Sequence, residues 1–219
     1  MIKAVVFDLD GVLLDTSSYH FEAWCEMAKE LDIHLEESFE PNLRGVSRME
    51  SLKRILKHAG KLDQHESEMT QLATKKNNIY LEKIKHLNVD SLYEGTIDLL
   101  AYLQDKGIKI GLASASKNAE GIVTATGIKE YFDYIVDPSL VPNGKPDPDV
   151  FLDAMIHIGS RPHETIGVED SSAGLDGIND AGFISVGIGD TALLSQAMFV
   201  FKDTKTFSDK IKEMPFNFL

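Results

Sequence analysis

At 219 residues, 43% of them apolar and 26% charged, the chain has the composition of a globular protein of one large domain or two small ones, which excludes disorder and collagen-like repeats. Lys and Arg number 22 against 35 Asp and Glu, and the resulting net charge of −13 repels polyanions, so neither a nucleic acid nor an anionic membrane is an expected partner. Cys25 is the single cysteine; it excludes intrachain disulfides and thiolate metal cages and reads as a buried helix residue.

The apolar opening 4–7 reads as a strand, cut off by Asp8 and too short for a signal-peptide core. No later apolar run reaches membrane-spanning length, and a cytoplasmic protein is expected. From Gly11 to Lys85 the chain has helical periodicity without a convincing strand. Helices are predicted over 19–31, 48–59 and 66–85, separated by the turn-rich Pro41-Asn42 and by Gly60. Beyond that insertion, helices predicted at 97–103, 119–125, 150–158 and 173–181 alternate with apolar strands at 108–113, 134–136, 165–168 and 184–188. Such βα alternation implies right-handed crossovers and an α/β fold, a doubly wound, Rossmann-like parallel sheet. The expected division is a core of 1–15 and 88–219 with an inserted helical cap of 16–87. Ligands bind beyond the carboxyl ends of such strands, and the insertion leaves the first strand at that end, placed to act as a lid.

Asp8 and Asp10 close the first strand two residues apart, so their side chains point the same way, and paired anions need a cation or a shared proton. An EF-hand loop is excluded, because Val12 and Tyr19 stand where it needs ligands. The pattern recurs where Glu169 and Asp170 end the run beginning at Ile166. Four carboxylates at one rim, Asp8, Asp10, Glu169 and Asp170, suit Mg²⁺, although Asp170 or Ser171 also reads as the N-cap of the next helix. Ser114, Ala115, Ser116, Lys117 and Asn118 end another strand at a helix start, a corner that suits phosphate and in which Ser and Asn are also routine caps. Lys145 precedes Pro146-Asp147-Pro148, with Asp147 read as an N-cap and Pro148 as the first helical residue. At the same rim, an ammonium would neutralise developing phosphoryl charge.

These segments, in this order and over essentially the whole chain, resemble the haloacid dehalogenase superfamily of phosphotransferases. The resemblance implies that Asp8 is the nucleophile, Asp10 the general acid and base, Ser114 and Lys145 the pair orienting the phosphoryl group, and Glu169 and Asp170 part of the Mg²⁺ site. The second acid, Asp10, points to phosphoryl transfer to or from oxygen rather than to dehalogenation or phosphonate cleavage.

In the insertion, Ser47 and Glu50 have capping-box spacing, while Arg48 sits in a first helical turn, where the dipole disfavours a cation unless an anion is near. His20 follows Thr16 and precedes Trp24 by one turn each, facing the paired acids. Lys75-Lys76 by itself reads as a solvated helix face. Together, Thr16, His20, Trp24, Gly45, Val46, Ser47, Arg48, Lys76-Asn77 and the run 113–118 are similar to the β-phosphoglucomutase family. That resemblance implies a Mg²⁺-dependent exchange between β-D-glucose 1-phosphate and D-glucose 6-phosphate, with β-glucose 1,6-bisphosphate as intermediate and activator. It also implies that His20 couples substrate engagement to Asp10, that Lys76 contacts the sugar, and that Arg48, Ser116, Lys117 and Asn118 hold the phosphate not being transferred. Thr16, Trp24, Gly45, Val46, Ser47 and Ala115 complete the implied substrate site. The partner expected is a small sugar phosphate, and the expected state is a monomer. A sugar-phosphate phosphatase, in which water attacks phospho-Asp8, and a non-catalytic phosphosugar-binding module stand as alternatives. Three positions depart from the family pattern: Arg44 stands where Lys is frequent, Leu14 where Thr is frequent, and Asn143-Gly144 precedes Lys145. The Lys145-Pro146 bond is open to either isomer.

Overall fold

In the computed structural model, which describes residues 2–213, β1 (Ala4–Phe7), β2 (Lys109–Leu112), β3 (Tyr134–Ile135), β4 (Thr165–Glu169), β5 (Ile184–Ile188) and β6 (Phe199–Phe201) form one sheet. The order is β3-β2-β1-β4-β5-β6, and every pairing is parallel. The helices of the insertion that follows β1 are α1 (Ser17–Lys29), α2 (Arg48–His58), α3 (Leu62–His65) and α4 (Met69–Lys83). The core helices are α5 (Thr96–Asp105), α6 (Ala119–Ala125), α7 (Asp149–His157), α8 (Ser172–Asp180) and α9 (Thr204–Glu213).

A strand covered by helices on both faces must be apolar on both, and β1 obeys this. Val5 and Phe7 pack with Leu99, Leu100 and Leu103 of α5, Ile122 of α6 and Phe207 of α9. Ala4 and Val6 pack on the other side with Phe151 of α7 and Leu175 and Ile178 of α8. The inserted helices have a third cluster of their own, with Trp24, Met27 and Ala28 of α1, Leu52, Ile55 and Leu56 of α2, and Met69 and Ala73 of α4. Leu52, Ile55 and Leu56 are fully buried there, and each such side chain contributes about 2 kcal/mol. The chain leaves and re-enters the core at adjacent points: Leu14 bridges to Leu92, and the Tyr93 amide donates to the Leu13 carbonyl at 2.9 Å.

Several expectations change. The expected helix over 66–85 is a 3₁₀ turn at Glu66–Glu68 followed by α4, and α3 precedes it as an additional short helix. Pro148 occupies the N-cap of α7, one residue beyond the expected Asp147. Cys25 on α1 is half-buried rather than buried. β6 and α9 are additional elements. β6 is three half-buried residues, too short for an alternating pattern, and α9 buries Thr204, Phe207, Ser208 and Ile211, a helical stripe in which two polar residues mask the period. The Lys145-Pro146 bond is cis. Among the described residues, no helix is long and apolar enough to cross a membrane.

Candidate active site

The strand order reverses at β1, which has β2 on one side and β4 on the other, so the carboxyl ends of three neighbouring strands form one rim. The Asp8 amide donates to the Val168 carbonyl at 2.9 Å and the Ala113 amide to the Phe7 carbonyl at 2.8 Å, which brings Asp8, Ser114 and Glu169 level. Lys145 donates from Nζ to Asp8 Oδ1 at 2.5 Å and to Glu169 Oε1 at 2.7 Å. The second oxygen of Glu169 accepts from the Ser171 amide at 2.7 Å and from its hydroxyl at 2.8 Å. All three charged groups are buried, and the Ser171 hydroxyl also accepts from the Gly174 amide at 3.1 Å, capping α8 as one of the two expected readings has it.

Burial pushes the Asp8 carboxyl up to about 8 against the pull of Lys145, and Glu169 and Asp10 push it further. Asp170 is raised well above the usual carboxylate range by burial and then by Glu169. Burial would strip the Lys145 proton, but Asp8 and Glu169 outweigh it and raise its pKa. The rim therefore holds more carboxyl groups than its one lysine can keep ionised. Asp8, Glu169 and Asp170 offer oxygen atoms that lie within 4.8 Å of one another, a hard, all-oxygen donor set that fits Mg²⁺. The Asp10 carboxylate lies outside this group and accepts from the Thr16 hydroxyl. Gly11 makes the turn behind it at φ +81°, and a Cβ there would strike Asp170 Oδ2.

Thr16 stands at the N-cap of α1 but makes no capping bond, because its hydroxyl is committed to Asp10. Asn118, at the N-cap of α6, likewise makes no capping bond; its Nδ2 donates to Asn77 Oδ1 at 2.9 Å. The same Asn77 oxygen accepts from Arg48 Nη2 at 2.7 Å. Ser47 caps α2 by accepting from the Glu50 amide at 3.2 Å, while the Glu50 carboxylate turns to Arg54 at 2.9 Å, so only half of the expected capping box forms. Lys76 is buried, with Nζ 2.5 Å from His20 Nδ1, 4.8 Å from the Trp24 ring centre and 4.9 Å from that of Tyr80. Burial, then Arg48, lowers the Lys76 pKa to about 7, and burial, then Lys76, holds His20 well below its ordinary value. Burial raises Asp10 to about 6.

These groups surround one cavity of about 560 Å³ between the core and the inserted helices. Asp8, Asp10, Lys145, Ala115, Ser116 and Lys117 line it from the core. His20, Trp24, Gly45, Val46, Ser47, Arg48 and Lys76 line it from the insertion. Thr16, Ser114, Asn118, Glu169 and Asp170 stand behind that lining as partners: Ser114 Oγ, for instance, accepts from the Ser116 amide at 3.1 Å. Gly45, at φ +70°, lies so close to Ser171 that a Cβ would collide with its hydroxyl. Arg44 reaches across the same seam, with Nη1 3.6 Å from Asp170 Oδ2 and Nε 2.7 Å from Glu40 Oε1. Tyr80 and Glu40 are among the participants outside the expected set. Tyr80 stacks on His20 with ring centres 3.9 Å apart, and its position one turn after Lys76 on α4 was the available signal. Glu40 lines the cavity four residues before Arg44, the spacing of an ion pair.

A family model described as haloacid dehalogenase-like hydrolase matches residues 2–182. The chain is 40% identical over 204 residues to the β-phosphoglucomutase of Bacillus subtilis, covering 93% of this chain and 90% of that protein. It is 28% identical over 183 residues to a phosphorylated carbohydrates phosphatase of Thermotoga maritima, covering 83% and 82%. The crystal structure of a β-phosphoglucomutase from Clostridium difficile superposes with a TM-score of 0.93 at 40% identity, covering 97% of this chain and 96% of that one.

Proposed function

This chain belongs to the β-phosphoglucomutase family of the haloacid dehalogenase superfamily, and from that premise we propose how its own residues interconvert β-D-glucose 1-phosphate and D-glucose 6-phosphate. The observation that carries the reading is the two-ended cavity. Asp8 and Lys145 face one end. At the other, Arg48 has no carboxylate within ion-pair distance among the described residues and meets only the Asn77 amide, in a protein with 35 Asp and Glu. A phosphatase needs only the first end; a bisphosphate needs both.

In the proposed cycle, phospho-Asp8 passes its phosphoryl group to the 6-hydroxyl of β-glucose 1-phosphate while Asp10 takes the hydroxyl proton. The resulting β-glucose 1,6-bisphosphate turns end for end. The Asp8 carboxylate then takes the 1-phosphoryl group, Asp10 returns its proton to the oxygen leaving phosphorus, and glucose 6-phosphate departs from re-formed phospho-Asp8. With its pKa near 6, Asp10 is suited to take and return a proton close to neutral pH. The Thr16 hydroxyl aims that carboxylate, and His20 is joined to Lys76 on the cavity wall that the inserted helices supply. Lys145 and Ser114 orient the group in transfer, while Arg48, Ser116, Lys117 and Asn118 hold the other phosphate.

Asp8, Glu169 and Asp170 would hold Mg²⁺, which supplies positive charge that keeps Asp8 ionised and eases the approach of phosphoryl oxygens. The segment 16–87 acts as the cap that excludes water, the competing nucleophile.

The test is conversion of β-glucose 1-phosphate with Mg²⁺ and a trace of β-glucose 1,6-bisphosphate, with inorganic phosphate followed in parallel. Glucose 6-phosphate is expected to form far faster than phosphate. Phosphate without isomerisation would replace the mutase by a phosphatase, and binding with no turnover of any sugar phosphate would replace both by a binding module.

A further inference from the structure

Asn77 has no role in the cycle just described, yet its side chain is the point at which α4, α2 and the start of α6 are tied together. Its Oδ1 accepts from Arg48 Nη2 at 2.7 Å and from Asn118 Nδ2 at 2.9 Å. A guanidinium carries only donors, so the atom facing Arg48 is the amide oxygen and the orientation of Asn77 follows. One carbonyl oxygen thus gathers a donor from the inserted helices and a donor from the core. Two converging donors, one of them charged, are what an oxygen of a bound phosphate would meet. This is also the one side-chain hydrogen bond of Arg48 among the described residues, and burial lowers the pKa of that guanidinium.

We propose that Asn77 is a positioning residue that stands in for the substrate's non-reacting phosphate. Its amide oxygen keeps Arg48 and Asn118 side by side between binding events and is exchanged for a phosphate oxygen when substrate enters. The inference rests on the distal-phosphate grip of the proposed function and deepens it. The chemistry explains why the residue is an amide. A hydrogen bond to an ionised acceptor is roughly twice as strong as one to a neutral acceptor, so a phosphate displaces the amide oxygen, whereas a carboxylate would hold Arg48 permanently and repel the ligand. It also serves the turnover of the bisphosphate. For the intermediate to turn end for end, both grips must release, and releasing a phosphate from half-buried donors is costly when they are left unpaired. Asn77 supplies the acceptor at that moment.

Trp24 is the only tryptophan of the chain, and it lines the same cavity under Lys76, so its fluorescence reports binding without turnover. Glucose 6-phosphate and unphosphorylated glucose are titrated into wild type, Asn77→Asp, Asn77→Ala and Arg48→Ala, each checked by thermal melting. Asn77→Asp is expected to weaken glucose 6-phosphate at least about tenfold, from like-charge repulsion, without a comparable change for glucose. Asn77→Ala is expected to bind it as tightly as wild type or up to about fivefold tighter, since a competing acceptor is gone. In the mutase assay the same variant should lower KM and kcat together, because release slows.

Equal weakening by Asn77→Ala and Asn77→Asp would make Asn77 an ordinary structural or direct contact and overturn the proposal. So would wild-type affinity in Asn77→Asp. If Asn77→Asp fails to fold, Asn77→Ala decides alone: KM and kcat lowered together support the proposal, and weaker binding or an unchanged kcat overturns it. The Arg48→Ala arm separates the two readings: binding equal to wild type there removes the distal grip, and Asn77's part with it, whereas a loss there with unchanged Asn77 variants removes only Asn77.

Discussion

At the core end of the cavity, Lys145 is buried between Asp8 and Glu169 at 2.5 and 2.7 Å. At the cap end, Arg48 and Lys76 face neutral partners, namely the Asn77 amide, the His20 ring and the faces of Trp24 and Tyr80. The first region is a closed charge system whose members hold each other in place. The second is an open one, in which cations are kept aimed by dipoles and rings weak enough to yield to an anion. The contrast is between a set of charges that fixes its own members and a set of donors free to take a new partner. Chemistry needs a nucleophile that does not move, and reorientation needs a grip that lets go.

The largest effect expected at the closed end is on chemistry. Asp8→Asn should lower turnover by about 10⁴-fold or more and abolish acid-labile phosphate incorporation from acetyl phosphate, with the melting temperature retained; phosphoenzyme in this variant would move the nucleophile elsewhere. Next is stability. Lys145→Ala leaves two buried carboxylates without their shared cation, and urea unfolding without Mg²⁺ should show a loss of about 3–5 kcal/mol. An unchanged midpoint would mean that the core end is not self-compensated.

At the open end the expected changes are smaller. Arg48→Ala should reduce mutase flux roughly 10²-fold, the scale of a lost charge-assisted phosphate contact, while Asp8 phosphorylation by acetyl phosphate continues; equal loss in both would erase the distinction between the ends. The smallest effect concerns Lys76. Its pKa falls from 10.5 to about 7 on folding, so between those pH values the unfolded chain binds more protons and stability rises with pH. Lys76→Met removes that slope. Its unfolding free energy relative to wild type should be more favourable at pH 7 than at pH 9, by on the order of 1 kcal/mol. A difference that does not change with pH would show that Lys76 is charged in the folded protein across the whole range.

Much of the core was legible because a strand buried on both faces must be an apolar run, and such a run is visible when acids end it, as Asp8 and Glu169 do. β6 and α9 were not legible: the strand spans three residues, and the buried face of the helix includes Thr204 and Ser208. In the site, Thr16 and Asn118 show the limit of local rules. Both occupy cap positions that their chemistry favours, yet neither caps, since Asp10 and Asn77 claim their side chains.

What the sequence by itself determined is the alternation that builds a parallel sheet, the carboxylates at its rim and the stock of residues facing them, because periodicity and strand direction are local properties of the chain. Only the tertiary structure decided that Lys145 is shared by Asp8 and Glu169 across strands, that the Asp10 carboxylate turns to Thr16 instead of joining Asp8, Glu169 and Asp170, and that one oxygen of Asn77 ties Arg48 to Asn118. Those outcomes depend on distances between residues far apart in the chain and on burial that removes water as a competing partner, and neither is written in any single segment.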